Sequence, residues 1–197
     1  MLVLISGPSG AGKSTFVRTL LDAESGLSFS ISTTTRPPRQ GEQDGVQYQF
    51  VDDATFDKLV AEDAFVEWAN VHDHRYGTRR DHLQKMMDHG LIPLLDLDVQ
   101  GGVRVIELFG QDVCSVFLFP PSWDVLTQRL RGRGTEDEAA MKLRLDNARW
   151  EIGFADRYDY FIVNDELETA MDQMLAIITA EQCRRERIGQ PPLTSDE

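Results

Sequence analysis

Gly7-Pro8-Ser9-Gly10-Ala11-Gly12-Lys13-Ser14 follows a short apolar run, residues 2–5, and precedes a one-face helical spacing that begins with Phe16 and Leu20. Strand, glycine-rich turn and helix in that order read as a phosphate-binding P-loop, and not as a turn carrying a solvated lysine. The glycines let successive backbone N–H groups face one phosphate chain, and the helix N-terminus adds its positive end. Lys13 supplies a point charge to the β- and γ-phosphates and Ser14 a hydroxyl for Mg²⁺. The expected triphosphate site is therefore Gly7, Pro8, Ser9, Gly10, Ala11, Gly12, Lys13, Ser14 and Thr15. The motif alone does not name the reaction, because hydrolases, switches and kinases share it.

Outward from the loop, apolar or alternating runs at 27–32, 48–51, 65–69, 91–97, 116–119 and 160–163 predict strands. Helical spacings carry Phe56, Leu59 and Val60; Leu83, Met86 and Met87, stopped by Gly90; Val105 and Leu108; Val125, Leu126 and Leu130, capped by Ser122; and Met141, Leu145 and Ala148, behind a Thr135–Glu138 capping box. A final helix runs from Leu167 to Ile178, and the stretch from Gly189 reads as a frayed tail. Strands alternating with helices predict an α/β fold, a doubly wound parallel sheet with its ligand at the strands' carboxyl ends. Two segments break the alternation, 33–80 and 122–144, and are candidate subdomains.

At 197 residues and 41% apolar content the chain fits one compact domain with insertions. A formal charge of −13 argues against nucleic acid as a partner. The few basic residues cluster at Arg36, Arg39, Arg79, Arg80 and 129–133, which suits local anion sites. The chain starts within its first strand and no apolar run approaches membrane length, so no membrane partner and a cytoplasmic location are expected. Cys114 and Cys183 read as ordinary thiols, and His72 with His74 as a polar turn in preference to a metal site.

Two carboxylate positions carry chemistry. Glu67 interrupts an apolar run, so it either faces solvent or is buried with a partner. Asp96 and Asp98 end the run 91–97, where a P-loop fold holds Mg²⁺; that reading is preferred here to an N-cap for the following helix, and Asp96 is taken with Ser14 as the metal pair. A P-loop facing a separate segment rich in hydroxyls, tyrosines and arginines is the layout of a kinase for a small phosphorylated acceptor. In such a transfer Arg129, Arg133 and Arg144, at helical or loop spacing, can close over the moving phosphoryl group as a lid.

These residues resemble the guanylate kinase family from Leu2 to about Ile178. Beside the P-loop, the resemblance rests on Ser30-Ile31-Ser32, Thr34-Thr35-Arg36-Pro37-Pro38-Arg39, Gly41-Glu42, Glu67-Trp68-Ala69 and Tyr76-Gly77-Thr78. Further along it takes in Asp96-Leu97-Asp98, Gln100-Gly101, Arg129-Leu130, Gly132-Arg133-Gly134-Thr135 and Val163-Asn164-Asp165. The resemblance implies a P-loop kinase fold in which ATP, with Mg²⁺, phosphorylates GMP and dGMP. It implies guanine contacts from Ser32, Glu67, Thr78 and Asp98, and phosphate contacts from Arg36, Arg39, Tyr48 and Tyr76. Lys13, Arg36, Arg129, Arg133 and Arg144 would be catalytic, and Asn164 would lie near the adenine. The implied domains are a core of 1–32, 81–121 and 145–188, a GMP-binding subdomain of 33–80, a lid of 122–144 and a flexible tail of 189–197. Departures at Thr33 and at His72 or Asp73 touch no implied contact. Two rivals remain: a ribose bisphosphate phosphokinase of the same fold, and a non-catalytic module that binds phosphorylated peptides. Oligomeric state stays open.

Overall fold

The structure, a computed structural model, describes residues 1–24, 26–71, 73–131 and 138–188. In chain order its elements are β1 (Leu2–Ser6), α1 (Lys13–Ala23), β2 (Leu27–Phe29), β3 (Thr33–Thr34), β4 (Gln49–Phe50), α2 (Asp53–Ala61), β5 (Phe65–Val71), β6 (His74–Arg79) and α3 (Arg80–Asp88). There follow β7 (Ile92–Asp96), α4 (Val99–Phe109), β8 (Val113–Phe119), α5 (Trp123–Arg131), α6 (Glu138–Ile152), β9 (Tyr160–Val163), α7 (Leu167–Gln182) and α8 (Arg185–Ile188).

The central sheet runs β2-β7-β1-β8-β9, and every neighbouring pair is parallel. A parallel strand covered on both faces must be apolar throughout, and all five residues of β1 are buried. Its side chains divide by strand period: Val3 and Ile5 join Phe16, Leu20, Met174 and Ile178 on the α1/α7 face. Leu2 and Leu4 join Leu83, Val99 and Val105 on the α3/α4 face. Each such side chain contributes roughly 1.5–3 kcal/mol on burial, so the loop that follows β1 hangs from a strand packed on both faces.

The run 27–32 is not one strand. It leaves the central sheet after Phe29, where Ser30 N still donates to Leu94 O at 2.9 Å, and enters a second sheet at Thr33. That sheet runs β4-β3-β6-β5, with β3 and β4 parallel and the other pairs antiparallel. It is built from residues Thr33 to Phe50 and Phe65 to Arg79, and Val66 joins the α3/α4 core. The alternation of Leu27, Phe29 and Ile31 fits a continuous strand, and nothing local marks the change of sheet.

Asp98 corrects a second expectation. It is the N-cap of α4, its Oδ1 accepting from Gln100 N and Gly101 N, both at 2.9 Å. Capping satisfies orphan donors at the helix start, so the helix signal set aside in the sequence is what this aspartate answers. Thr135, of the expected capping box, lies outside the described residues, as do His72, Arg133 and the tail from 189. Cys114 is buried and free, and burial pushes its thiol up to about 12. Among the described residues no helix is long and apolar enough to cross a membrane.

Gly102 permits a close crossing within this core. A Cβ there would lie 2.2 Å from the Tyr158 hydroxyl and 2.8 Å from Ser6 Oγ. Alanine gains up to ~1 kcal/mol of helix propensity, yet overpacking costs about 1–3 kcal/mol. Gly102→Ala is therefore expected to lower the melting temperature; an unchanged or raised midpoint in thermal denaturation would show that Tyr158 moves aside freely.

Candidate active site

The P-loop binds its own helix without a side-chain cap. Gly12 is the N-cap of α1 in the left-handed region, φ 92°, and the first-turn N–H groups are left to a ligand. A side chain at Gly12 would strike Asn164, whose Nδ2 lies 2.5 Å from the ideal Cβ. The loop is braced from behind: Asn164 Nδ2 donates to Ala11 O at 2.8 Å, while Arg129 Nη1 reaches Ala11 O at 3.3 Å and Arg129 Nη2 reaches Asn164 O at 3.2 Å. Those bonds use part of the guanidinium's N–H set. A cleft of 410 Å³ opens beside the loop, walled by Gly12, Thr15, Arg129, Asn164, Asp165 and Leu167.

On the other side of the loop Lys13 Nζ donates to Gly7 O at 2.8 Å and lies 3.9 Å from Asp96 Oδ1. Burial holds the Asp96 carboxyl above its ordinary range, opposed by the Lys13 charge. Ser14 is exposed on the first turn of α1. A carboxylate and a hydroxyl are hard oxygen donors that suit Mg²⁺, which keeps waters and substrate phosphates as its other ligands. Among the described residues there is no cluster of three or more His, Cys, Asp or Glu side chains arranged for a metal.

The second sheet presents a polar wall. A register shift between Phe65 and Glu67 sets Glu67 directly across from Thr78; such bulges re-aim side chains. Thr78 Oγ1 donates to Glu67 Oε1 at 2.7 Å, and both residues are buried. The choice left by the sequence is thus resolved toward burial with a partner. Desolvation raises the Glu67 carboxyl above its ordinary range and the nearby Asp98 raises it further, whereas Thr78 and Arg104 pull it down. Ser32 is half-buried at the entrance to β3.

The phosphate end of that wall is organised by Arg36. Its Nε donates to Tyr76 Oη at 3.2 Å and its Nη1 to Pro37 O at 2.9 Å, while its guanidinium lies 5.2 Å from the Tyr48 ring centroid. Tyr48 and Tyr76 meet edge-on at 5.8 Å. Glu42 accepts from Arg36 Nη2 through both oxygens at 2.9 Å and from Arg39 N at 2.8 Å, which holds the Glu42 carboxyl below its ordinary range. Arg39 itself is exposed.

The structure thus gathers Arg36, Tyr48 and Tyr76 in one contact group, Glu67 and Thr78 in another, and Lys13, Asp96, Arg129 and Asn164 around the loop. Arg144 lies half-buried on α6, and Arg133 is outside the described residues. Two carboxylates went without a role in the sequence. Glu42 follows Arg39 by three residues in a turn, a spacing that could have flagged it. Glu151, which accepts from Ser9 N at 3.2 Å across 142 residues of chain, had no sequence signal.

Central sheet, glycine loop and facing polar wall together define a P-loop kinase fold. The family model described as guanylate kinase matches residues 1–181. A guanylate kinase of Syntrophotalea carbinolica is 47% identical over 188 residues, covering 95% of this chain and 89% of that protein. One from Caldanaerobacter subterraneus subsp. tengcongensis is 42% identical over 187 residues, covering 95% and 90%. The crystal structure of guanylate kinase from Anaplasma phagocytophilum superposes with a TM-score of 0.75 at 33% identity, covering 95% of this chain and 88% of that one. The chain belongs to the guanylate kinase family.

Proposed function

We propose that this chain transfers the γ-phosphoryl group of ATP to GMP, and also to dGMP, giving the nucleoside diphosphate and ADP. The observation that carries the acceptor is Glu67: a buried carboxylate whose Oε1 is held by Thr78 and whose Oε2 has no hydrogen bond among the described residues. A ligand that covers Oε2 must offer it a donor, because burying an unpaired acceptor costs free energy. Guanine offers N1–H and an exocyclic amine side by side, and a carboxylate accepts from both. Adenine presents an acceptor at N1 and no second amine, so the mismatch leaves buried groups unpaired, and sites built this way discriminate by about 10⁴–10⁵.

The remaining residues position and neutralise, which is most of what phosphoryl transfer asks of a protein. Loop N–H groups between Gly7 and Thr15, Pro8 having none, and the Lys13 ammonium hold the donor phosphates, with the adenine in the cleft beside Asn164. Ser32, Thr78 and Asp98 complete the base site; Asp98 has Oδ2 to offer, since Oδ1 caps α4. Arg36, Arg39, Tyr48 and Tyr76 take the acceptor phosphate, with Glu42 fixing the angle of Arg36. Ser14 and Asp96 would hold Mg²⁺, which would supply charge neutralisation to the donor phosphates. Arg129, Arg133 and Arg144 act from the lid, 122–144, closing over a core of 1–32, 81–121 and 145–188 that carries the acceptor subdomain 33–80.

The test is a panel of GMP, dGMP, IMP, AMP and ribose 1,5-bisphosphate with Mg²⁺ and ATP. GMP and dGMP should react, IMP weakly because it lacks the amine, and AMP not at all. Turnover of ribose 1,5-bisphosphate alone would replace the acceptor; GMP binding without turnover would make the chain a binding module.

A further inference from the structure

We infer that Glu151 is an anionic place-holder at the phosphate loop, a residue of the donor site whose carboxylate occupies the Ser9 N–H until the donor phosphates displace it. The inference rests on the reading that those phosphates bind on the loop. Glu151 Oε2 accepts from Ser9 N at 3.2 Å, and Ser9 is an exposed residue at the loop's mouth. The charges of Lys13 and Asp98 both act on this half-buried carboxylate. Lys13 is the side chain that must meet the phosphates, so an arriving phosphate chain enters the field of Glu151 with like charge.

The position of Glu151 gives the displacement somewhere to go. It stands in the last turn of α6, the 15-residue helix that also carries Arg144. Met141 and Leu145 of that helix pack on Leu126 and Leu130 of α5. The loop touches the same two leucines, since a Cβ at Gly10 would lie 2.8 Å from Leu126 Cδ1. The loop therefore meets the helical segment in three ways: through apolar packing on α5, through the Arg129–Ala11 bond and through the Ser9–Glu151 bond. Only the last places an anion on the loop. Repulsion between two anions sharing one amide site breaks that bond and leaves the packing in place, so phosphate arrival frees the end of α6 without unseating it.

Glu151→Gln keeps an oxygen that can accept from Ser9 and removes the charge; Glu151→Ala removes both. Calorimetric titration with tripolyphosphate, which has no base or sugar, reads the phosphate site alone. Both variants are expected to bind tripolyphosphate about 3- to 30-fold tighter than the parent, with GMP affinity unchanged. Hydrogen exchange in 138–152 should rise in the parent on adding tripolyphosphate and be raised already in Glu151→Ala. Unchanged or weaker tripolyphosphate binding in both variants would overturn the inference, as would weaker binding in Glu151→Ala alone, the mark of a structural clasp. Lys13→Ala separates the two levels: if it binds tripolyphosphate as well as the parent, the loop reading itself fails and this inference with it. If Lys13→Ala binds weakly but neither Glu151 variant binds more tightly, only this inference fails.

Discussion

Glu67→Gln lowers kcat/KM for GMP by about 30- to 150-fold and leaves KM for ATP within about two-fold, because a ligand donor facing a lost charged acceptor forfeits ~2–3 kcal/mol. A glutamine has one carbonyl oxygen where glutamate has two acceptors, and Thr78 already claims one oxygen at 2.7 Å. If that oxygen stays with Thr78, the amide N–H₂ faces guanine N1–H, donor against donor. If it turns to guanine, the amide N–H₂ can donate to the Thr78 hydroxyl, but one neutral oxygen then meets guanine donors that a charged carboxylate oxygen served. Either orientation spoils the base site, and steady-state kinetics with each substrate varied in turn will show it. Equal losses for GMP and ATP would refute the assignment.

The same carboxylate predicts a pH dependence. Its folded value lies above the ordinary 4.5, so on acidification it takes a proton earlier than an exposed glutamate does. The protonated form donates where guanine also donates, and KM for GMP should rise from that higher pH downward, an inflection absent in Glu67→Gln. Stability moves the other way. A raised carboxyl value means that the folded state binds the proton more tightly than the unfolded state; the associated stability is complete below 4.5 and lost as pH rises through the folded value. Glu67→Gln should therefore melt no lower than the parent at neutral pH, which separates lost recognition from lost folding.

How far the sequence could be read depended on the range of the interaction. The loop, the parallel sheet and most helices were legible because each rests on local patterns: a short apolar run, then glycines, then a one-face spacing. The split of 27–32 between two sheets was not, since alternation is the same whichever neighbour pairs with the strand. Asp98 carried two local signals, cap and site, and the cap governs the geometry seen. Glu67 could be recognised as anomalous in an apolar run, but its partner depended on a register shift that brings residues 67 and 78 together. Glu151 meets Ser9 only through the tertiary fold, and no pattern of spacing reaches across that distance.

Lys13→Ala is expected to cut kcat by about 10³-fold while GMP binds as before, because a charge aimed at the transferring group is worth 10²–10³ when a single stabilising donor is removed, by rough analogy with other polar catalytic sites. In the free protein the ammonium is parked on Gly7 O at 2.8 Å, 3.9 Å from Asp96. Both partners lie in the proposed site, so the ammonium of this first residue of α1 rests beside the loop, with no large movement needed to meet a phosphate there. Alanine leaves Gly7 O and the Asp96 carboxylate without that cation. Asp96 is already raised by burial, with Lys13 the opposing charge, so its carboxyl should rise further and Mg²⁺ should bind more weakly at mildly acidic pH. Lys13→Arg keeps the charge, but its broader guanidinium must fit beside the backbone of Gly7, and it should restore Asp96 without restoring kcat. Single-turnover rates, GMP titration and the pH dependence of Mg²⁺ activation in the two variants distinguish these effects. A Lys13→Ala enzyme with kcat within about ten-fold of the parent, a loss of ~1.4 kcal/mol, would show that the loop amides and the arginines carry the transition state without it.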